Sequence, residues 1–479
     1  MKTAVRALPA AIALALGGAA GGAAAAGFAL IEQNSSGLGN AYAGQAAAAE
    51  DASTIFFNPA GMAYLPGGQA VMAGHAIAPS AKFSADPTRT TAPVQATGAP
   101  SGFPVGSNGG DAGDTALIPS LYFSWSLDPK WNIGIGVNAP FGLRTEYDPG
   151  WAGEFHALKS EVKSLNVNPG VSYKVNDAIA VGFGLNWQRV EAEFTKTVNY
   201  SFVGQLAAGQ ALLAGNAALA GALNTEALKF IKGSNQISGS DSGWGFNLGA
   251  MINVGADTRV GLAYRSAVNL TLSGTAAYFG APPTLSAVAA ANAAVANQIA
   301  TGSVTANLKT PASFSAAVKH RLNSNWDLLA DVSWTQWSSF KSLDIVRTSG
   351  LASGAVLEST PENWRDTWRV GIGANYRYTE AWTFRLGAAY DQSPVPSEYL
   401  TPRVPDGDRT WLAFGAQYKV SKDGAIDFGY AHLFMDSPSQ NFAPGTPALS
   451  ALQLQGRGNL VGTYDDKVDI LSVQYRHSF

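Results

Sequence analysis

The sequence predicts an all-β protein: a transmembrane antiparallel β-barrel of about 14 strands with an N-terminal hatch, or plug, inside its lumen. Three observations lead there. Only 14% of the 479 residues are charged, against about 25% in soluble domains, yet the hydrophobic share is an ordinary 46%. Segment after segment alternates apolar and polar residues with period two, and the aromatics gather at segment ends, as in a membrane girdle. The connections fall into two length classes: six tight turns and seven long links, which join fourteen strands. The same composition excludes intrinsic disorder. A formal charge of -3 speaks against a nucleic-acid partner, and the absence of Cys removes disulfides, thiolate metal sites and cysteine nucleophiles.

The N-terminus carries Lys2 and Arg6, an apolar run from Ala7 to Leu16 and small residues from Gly17 to Ala26. That is the layout of a secretory signal peptide over residues 1–25, cut near Ala23-Ala24-Ala25, with Ala26 or Gly27 as the mature start. Beyond it no stretch reaches about 18 consecutive strongly apolar residues, so no helix is expected to span a membrane. At the other end, Leu471, Val473, Tyr475, His477 and Phe479 alternate with Ser472, Gln474, Arg476 and Ser478. A strand closing on an aromatic resembles the assembly signal of bacterial outer-membrane barrels. It makes Phe479 the expected contact for the assembly machinery and places the chain, as a monomer, among outer-membrane lipid and lipopolysaccharide.

The wall strands follow the same rule. Trp326, Leu328, Ala330, Val332 and Trp334 share one face; Trp368 to Tyr376, Trp382 to Tyr390, Leu412 to Tyr418 and Ile179 to Trp187 repeat it. Tight turns are expected near Asp128-Pro129, Asn176-Asp177, Gly255-Asp257, Asn323-Asn325, Thr379-Glu380 and Ser421-Gly424. Long connections are expected at about 84–115, 139–155, 199–240, 275–303, 346–363, 391–408 and 436–463. An even strand count with short turns on one side and long loops on the other is the outer-membrane pattern, and lipid requires the sheet to close. Parity points Arg369, Arg377 and Arg385 into a wet lumen.

Residues 26–66 do not fit a wall, so they are expected as the hatch, with the barrel over 67–479. The loops at 199–240 and 275–303 are Ala-rich and helix-favouring. In the first, Leu212, Leu219 and Leu223 recur as on one helical face. Two such apolar loops either pack together as a cap or leave a greasy groove for an apolar solute. Asn138-Ala139-Pro140-Phe141-Gly142 interrupts an alternating strand, since proline removes a ladder donor and glycine bends the chain. The strand either ends there or is kinked.

The sequence also resembles the long-chain fatty acid transporter family of outer membrane proteins (FadL-type). The resemblance is carried by Gly27-Phe28, Ser35-Ser36-Gly37-Leu38-Gly39, Asn58-Pro59-Ala60, Gly243-Trp244-Gly245-Phe246-Asn247 and Ala263-Tyr264-Arg265-Ser266. Trp334-Thr335-Gln336-Trp337-Ser338-Ser339-Phe340, Trp382-Thr383-Phe384-Arg385, Asp391-Gln392-Ser393-Pro394-Val395-Pro396 and Pro405-Asp406-Gly407-Asp408-Arg409 complete it. It implies a 14-stranded barrel with a hatch and passive uptake of hydrophobic molecules, with no cofactor. Ligand would enter a groove between the two helical loops, pass to an apolar pocket reached by Phe28, and leave sideways through a kink in the third strand. Pro140 and Gly142 fall on that kink, and Asn58, Pro59 and Ala60 would pack against it. Withdrawal of Phe28 would remove contact area and release the ligand.

In fatty-acid-binding relatives two basic side chains meet the carboxylate. Lys196 falls near the first position, while the second is occupied by Asp344, with Lys341 and Arg347 beside it. Either a neighbour has taken over the second role or the ligand lacks a carboxylate; long-chain fatty acids are the first expected cargo, and aromatic or alkane hydrocarbons the alternative. A lipid hydrolase is a remoter reading: His75, His156, His320, His432 and His477 form no H-E-x-x-H pattern, and no G-x-S-x-G elbow occurs. A general porin is equally remote, because the plug and apolar loops oppose a wet bore.

Overall fold

The computed structural model describes residues 26–479; the expected signal peptide lies outside the described residues. Fourteen antiparallel strands form the wall. In chain order they are β1 (Gly68–Ala85), β2 (Ala116–Ser126), β3 (Trp131–Asn138, resuming as Gly142–Glu146), β4 (Lys159–Lys174) and β5 (Ile179–Asn199). Next come β6 (Lys232–Val254), β7 (Thr258–Arg265 and Val268–Phe279), β8 (Gly302–Thr310 and Ser313–Arg321), β9 (Trp326–Thr335 and Ser342–Arg347) and β10 (Val356–Pro361 and Thr367–Arg377). The last are β11 (Trp382–Asp391), β12 (Arg409–Lys419), β13 (Gly424–Met435 and Ser439–Phe442) and β14 (Leu460–Ser478). Each pairs with the next, and β14 pairs with β1 from Gln69↔Ser478 to Ala85↔Gly462, which closes the cylinder. Closure leaves neither terminal strand with an unpaired edge facing lipid.

Side-chain parity follows the sequence pattern. Leu471 and Val473 are exposed on the outside while Ser472 and Gln474 are buried within. Tight aromatic pairs mark one rim: Trp131–Tyr173, Trp326–Tyr376 and Trp382–Tyr418, with ring centroids 4.6–4.7 Å apart. At that rim Asp128, Asn176, Asn323, Thr379 and Ser421 each accept two backbone N–H bonds with a side-chain oxygen. The donors lie two and three residues on, which holds each turn tight.

At the opposite rim the strands run on. Trp187 lies opposite Trp244, and β5 and β6 continue beyond them to Asn199↔Lys232. A span needs only about 9–11 residues, so this part stands outside the membrane. The connection expected at 199–240 is correspondingly shorter, because β6 already begins at Lys232.

The inner segment before β1 is buried inside the barrel. It holds three single-turn helices, α1 (Ser35–Leu38), α2 (Gln45–Ala48) and α3 (Thr54–Phe57), and a 3₁₀ turn at Pro59–Tyr64. Its side-chain amides reach the wall's backbone. Asn40 Nδ2 donates to Ala374 O and Leu386 O, both at 3.1 Å; Asn58 Nδ2 donates to Ala250 O at 3.1 Å and Leu262 O at 3.3 Å. Three ion-pair or amide contacts fix Glu50: Arg385 at 2.9 Å, Lys319 at 3.7 Å and Asn375 Nδ2 at 2.7 Å.

Of the inward arginines, Arg385 and Arg369 thus hold the inner segment, while Arg377 ties one wall strand to the next. Arg385 also pairs with Asp427 at 2.6 Å, Arg369 donates to Ala41 O, and Arg377 forks onto Asp327 at 2.7 and 2.8 Å. Small inward residues let the two layers touch. A Cβ at Gly387 would overlap the Asn40 backbone, and one at Gly261 the Ala46 carbonyl.

Gly387→Val should therefore displace the inner segment while the wall still closes, at a cost of about 1–3 kcal/mol. The check is trypsin cleavage within residues 26–66 of the purified protein, expected to increase while the gel mobility of the unheated barrel is kept.

Candidate ligand pocket and wall opening

The wall has a gap at β3. Residues Leu121–Ser126 of β2 pair with Asn132–Val137, but Ala116–Ser120 bond only to β1. Across from them Gly142–Glu146 bond only to β4, apart from one bridge between Gly113 and Thr145. The strand is thus interrupted at Ala139–Phe141 and resumes. The inner segment and β4 supply the backbone partners that the break removes. Leu30 N donates to Pro140 O at 2.8 Å, Gly142 N to Phe28 O at 2.9 Å, and Gln33 Nε2 to Ala139 O at 3.0 Å; Ser164 Oγ meets both Phe141 N and Phe141 O. Asn58-Pro59-Ala60 does not cover this break, contrary to expectation. It packs against Gly182 of β5 and Gly249 of β6 and bonds β6 and β7, while Phe28–Leu30 face the interruption.

Phe28 is buried in an aromatic cage. Its ring centroid lies 4.7 Å from that of Trp337, 5.7 Å from Trp364, 5.8 Å from Phe141 and 6.1 Å from Phe340. Gly27 makes this approach possible: its φ is +61°, a Cβ there would press on Trp364, and its N–H donates to Asp406 Oδ2 at 3.0 Å. Trp337 and Phe340 were legible as a motif but not as a cage. A period-two strand running from Trp326 through Trp334 would turn 336, not 337, to the same side. That leaves 337 on the inward face with Asp327 and Leu329, and the 3₁₀ turn Trp337–Ser339 then breaks the alternation so that Phe340 joins it in the cage.

Beside the cage lies a partly open cavity that spans about 1090 Å³ of non-protein space, open solvent included. Leu30, Ile31, Phe57, Phe141, Trp337 and Trp411 give it apolar walls, and Pro140 brings it to the gap in β3. Its other side is polar, with Asn247, Arg265, Ser315 and Ser333.

Above the cage, Lys196 is half-buried and paired with Glu358 at 2.7 Å; Arg457 pairs with the other oxygen of the same carboxylate at 2.9 Å. Lys341 instead presents its side chain to solvent. The two lysines do not form one cationic end, and Lys196 already has a partner. Asp344 accepts from Ser342 Oγ at 2.6 Å, and Arg347 donates to Asn297 O at 2.8 Å, so neither turns towards the cage. Beside the cage itself Glu362 is buried, and burial pushes its carboxyl from an ordinary 4.5 up to about 8 although Trp364 Nε1 donates to it at 2.8 Å.

The helical loops form α4 (Tyr200–Leu213), α5 (Ala217–Ala227), α6 (Pro283–Ala289) and α7 (Ala293–Ile299). They pack on one another through Val203, Ala207, Leu223, Leu285, Val295 and Ile299. A turn at Ala214–Asn216 splits the single face expected for Leu212, Leu219 and Leu223 between two helices. Leu212 faces solvent at 62% exposure, Leu219 is half-buried and Leu223 is buried at the contact. Between α4, α5 and Leu285 only a crevice of about 10 Å³, the size of one water, remains.

Residues 17–479 match the model of a family described as outer membrane protein transport protein (OMPP1/FadL/TodX). The long-chain fatty acid transport protein of Escherichia coli K12 is 28% identical over 452 residues, covering 91% of this chain and 93% of that one. The 47 kDa outer membrane protein of Pasteurella multocida is 31% identical over 432 residues, covering 88% and 90%. Among solved structures, a Pseudomonas aeruginosa FadL homologue superposes with a TM-score of 0.81 at 24% identity over 95% of this chain and all of that one. The toluene transporter TodX of P. putida gives 0.60 at 18% identity over 89% and 94%.

Glu362 makes a pH prediction. The folded protein keeps this carboxyl protonated where the unfolded chain has lost the proton. Its stabilisation is therefore complete below about pH 4.5 and is lost as pH rises through about 8. The thermal midpoint of the detergent-solubilised protein, measured from pH 5 to 9, should fall over that window, and Glu362→Gln should flatten the decline.

Proposed function

We propose, on the premise that the chain belongs to the family of outer membrane transport proteins (OMPP1/FadL/TodX) and carries hydrophobic molecules across the outer membrane, that its main cargo is long-chain fatty acid. The E. coli relative is a long-chain fatty acid transport protein, which supports that choice. The observation that carries the route is the position of Phe28. Its ring sits in the cage at the edge of the cavity while its carbonyl bonds Gly142 at the gap in the wall.

The physical logic is transfer between apolar surfaces. Each buried methylene is worth about 0.8 kcal/mol, so a chain of some 16 carbons gains on the order of 10 kcal/mol before costs. The exposed and half-buried leucines of α4 and α5 make first contact, and the tail then moves into the cavity against Trp337 and Phe141. Phe28 supports both of those rings, and Leu30 lies across the break. A chain pressing on them strains the bonds from Phe28 O to Gly142 N and from Leu30 N to Pro140 O. Release of those bonds opens the gap sideways into the membrane, so uptake runs down the cargo's own gradient. The alternative cargo, aromatic or alkane hydrocarbon, would use the same walls without needing a polar contact.

Protein extracted in mild detergent should carry fatty acids that mass spectrometry identifies; co-purifying hydrocarbons alone would favour the alternative. Phe28→Ala should weaken palmitate binding roughly tenfold and slow its uptake by cells. If both stayed at wild-type values, the route through the cage would be wrong.

A further inference from the structure

Two cationic side chains line the cavity, Arg265 and Arg369. Arg369 has a carboxylate partner, Asp331 at 3.5 Å, and gives a second bond to Ala41 O of the inner segment. The lining carboxylate Asp391 lies in the field of Arg409 and Arg369. Arg265 is different: among the described residues no carboxylate lies within ion-pair distance of it. One amino group donates to Asn186 Oδ1 and the other to Phe56 O at 2.9 Å, and the guanidinium carbon sits 4.2 Å from the Phe56 ring centroid. Those two bonds use two of five N–H donors, and the group is half-buried at the cavity wall.

An unpaired guanidinium in a largely apolar chamber is costly to keep, and it attracts an anion more strongly there than in water. Ser315, Ser333 and Asn247 share its side of the lining, while Leu30, Phe141 and Trp337 form the facing walls. We infer that Arg265 is the head-group contact of a carboxylate-bearing chain inside the barrel, a lower station in which the head rests on Arg265 and the tail lies along Leu30, Phe141 and Trp337 towards the gap at Pro140. This rests on the uptake reading above and adds the polar contact that Lys196, already bound to Glu358, does not supply. A guanidinium forks onto a carboxylate with two parallel bonds, whereas an alcohol of the same length gains no charge-assisted bond.

The test compares palmitate with hexadecanol at pH 8, binding to the full chain in detergent, for wild type, Arg265→Gln and Arg265→Lys. Arg265→Gln should weaken palmitate roughly tenfold to a hundredfold while leaving hexadecanol unchanged, and Arg265→Lys should restore part of the loss. Wild-type palmitate affinity in Arg265→Gln would overturn the assignment and leave the uptake reading standing. An equal loss for both compounds would also overturn it, by showing that Arg265 only holds Phe56 and the plug in place. If wild type bound neither compound, the uptake reading would fall and the lower station with it.

Discussion

Lipid offers no hydrogen bonds, so each backbone amide and carbonyl in the wall must find its partner in protein. Most of this barrel meets that demand with its ladders. At Ala139–Gly142 it does not, and the missing partners come from Phe28, Leu30 and Gln33 of the inner segment and from Ser164. Plug and gap are one structure on this account. A break in β3 without the segment behind it would leave these backbone groups unpaired, and Phe28, Leu30 and Gln33 without the break would lose these partners. The cavity lies where both meet, lined by Leu30 of the inner segment and by Pro140 and Phe141 of the break.

The fold was readable because a membrane barrel writes its geometry in period two. Leu471 and Ser472, or Val370 and Arg369, face opposite ways for a reason that acts on every residue alike: lipid on one side, a polar interior on the other. Turn chemistry added the strand count, since Asp128, Asn176 and Asn323 close their turns with their own side chains. Belonging to a family of known architecture was likewise visible in short motifs spread along the chain.

The site was less readable, and the reasons are local. Phe340 leaves the alternation through the 3₁₀ turn Trp337–Ser339, and Trp364 lies in an irregular stretch with no period at all. The pairing of Lys196 with Glu358 joins residues 162 apart in sequence, so no spacing rule announces it. Leu212 and Leu223 kept a helical spacing across a turn that the Ala-Gly-Asn at 214–216 imposes. Asn58 looked like a gate residue because of its motif, yet its amide is spent on the carbonyls of Ala250 and Leu262. In each case tertiary contact decided what pattern alone could not.

The seat of the plug has a bearing on how the protein is built. Ser35 N binds Gln474, Asp51 accepts from that same amide, and Glu50 O accepts from Arg476; all three anchors belong to the final strand. These anchors of the inner segment, which precedes every wall strand in the chain, therefore cannot form until the last-made strand has arrived. Biogenesis must keep the early residues waiting, unseated, until the seam between β1 and β14 is sewn, so that sealing the bore becomes the closing act of assembly.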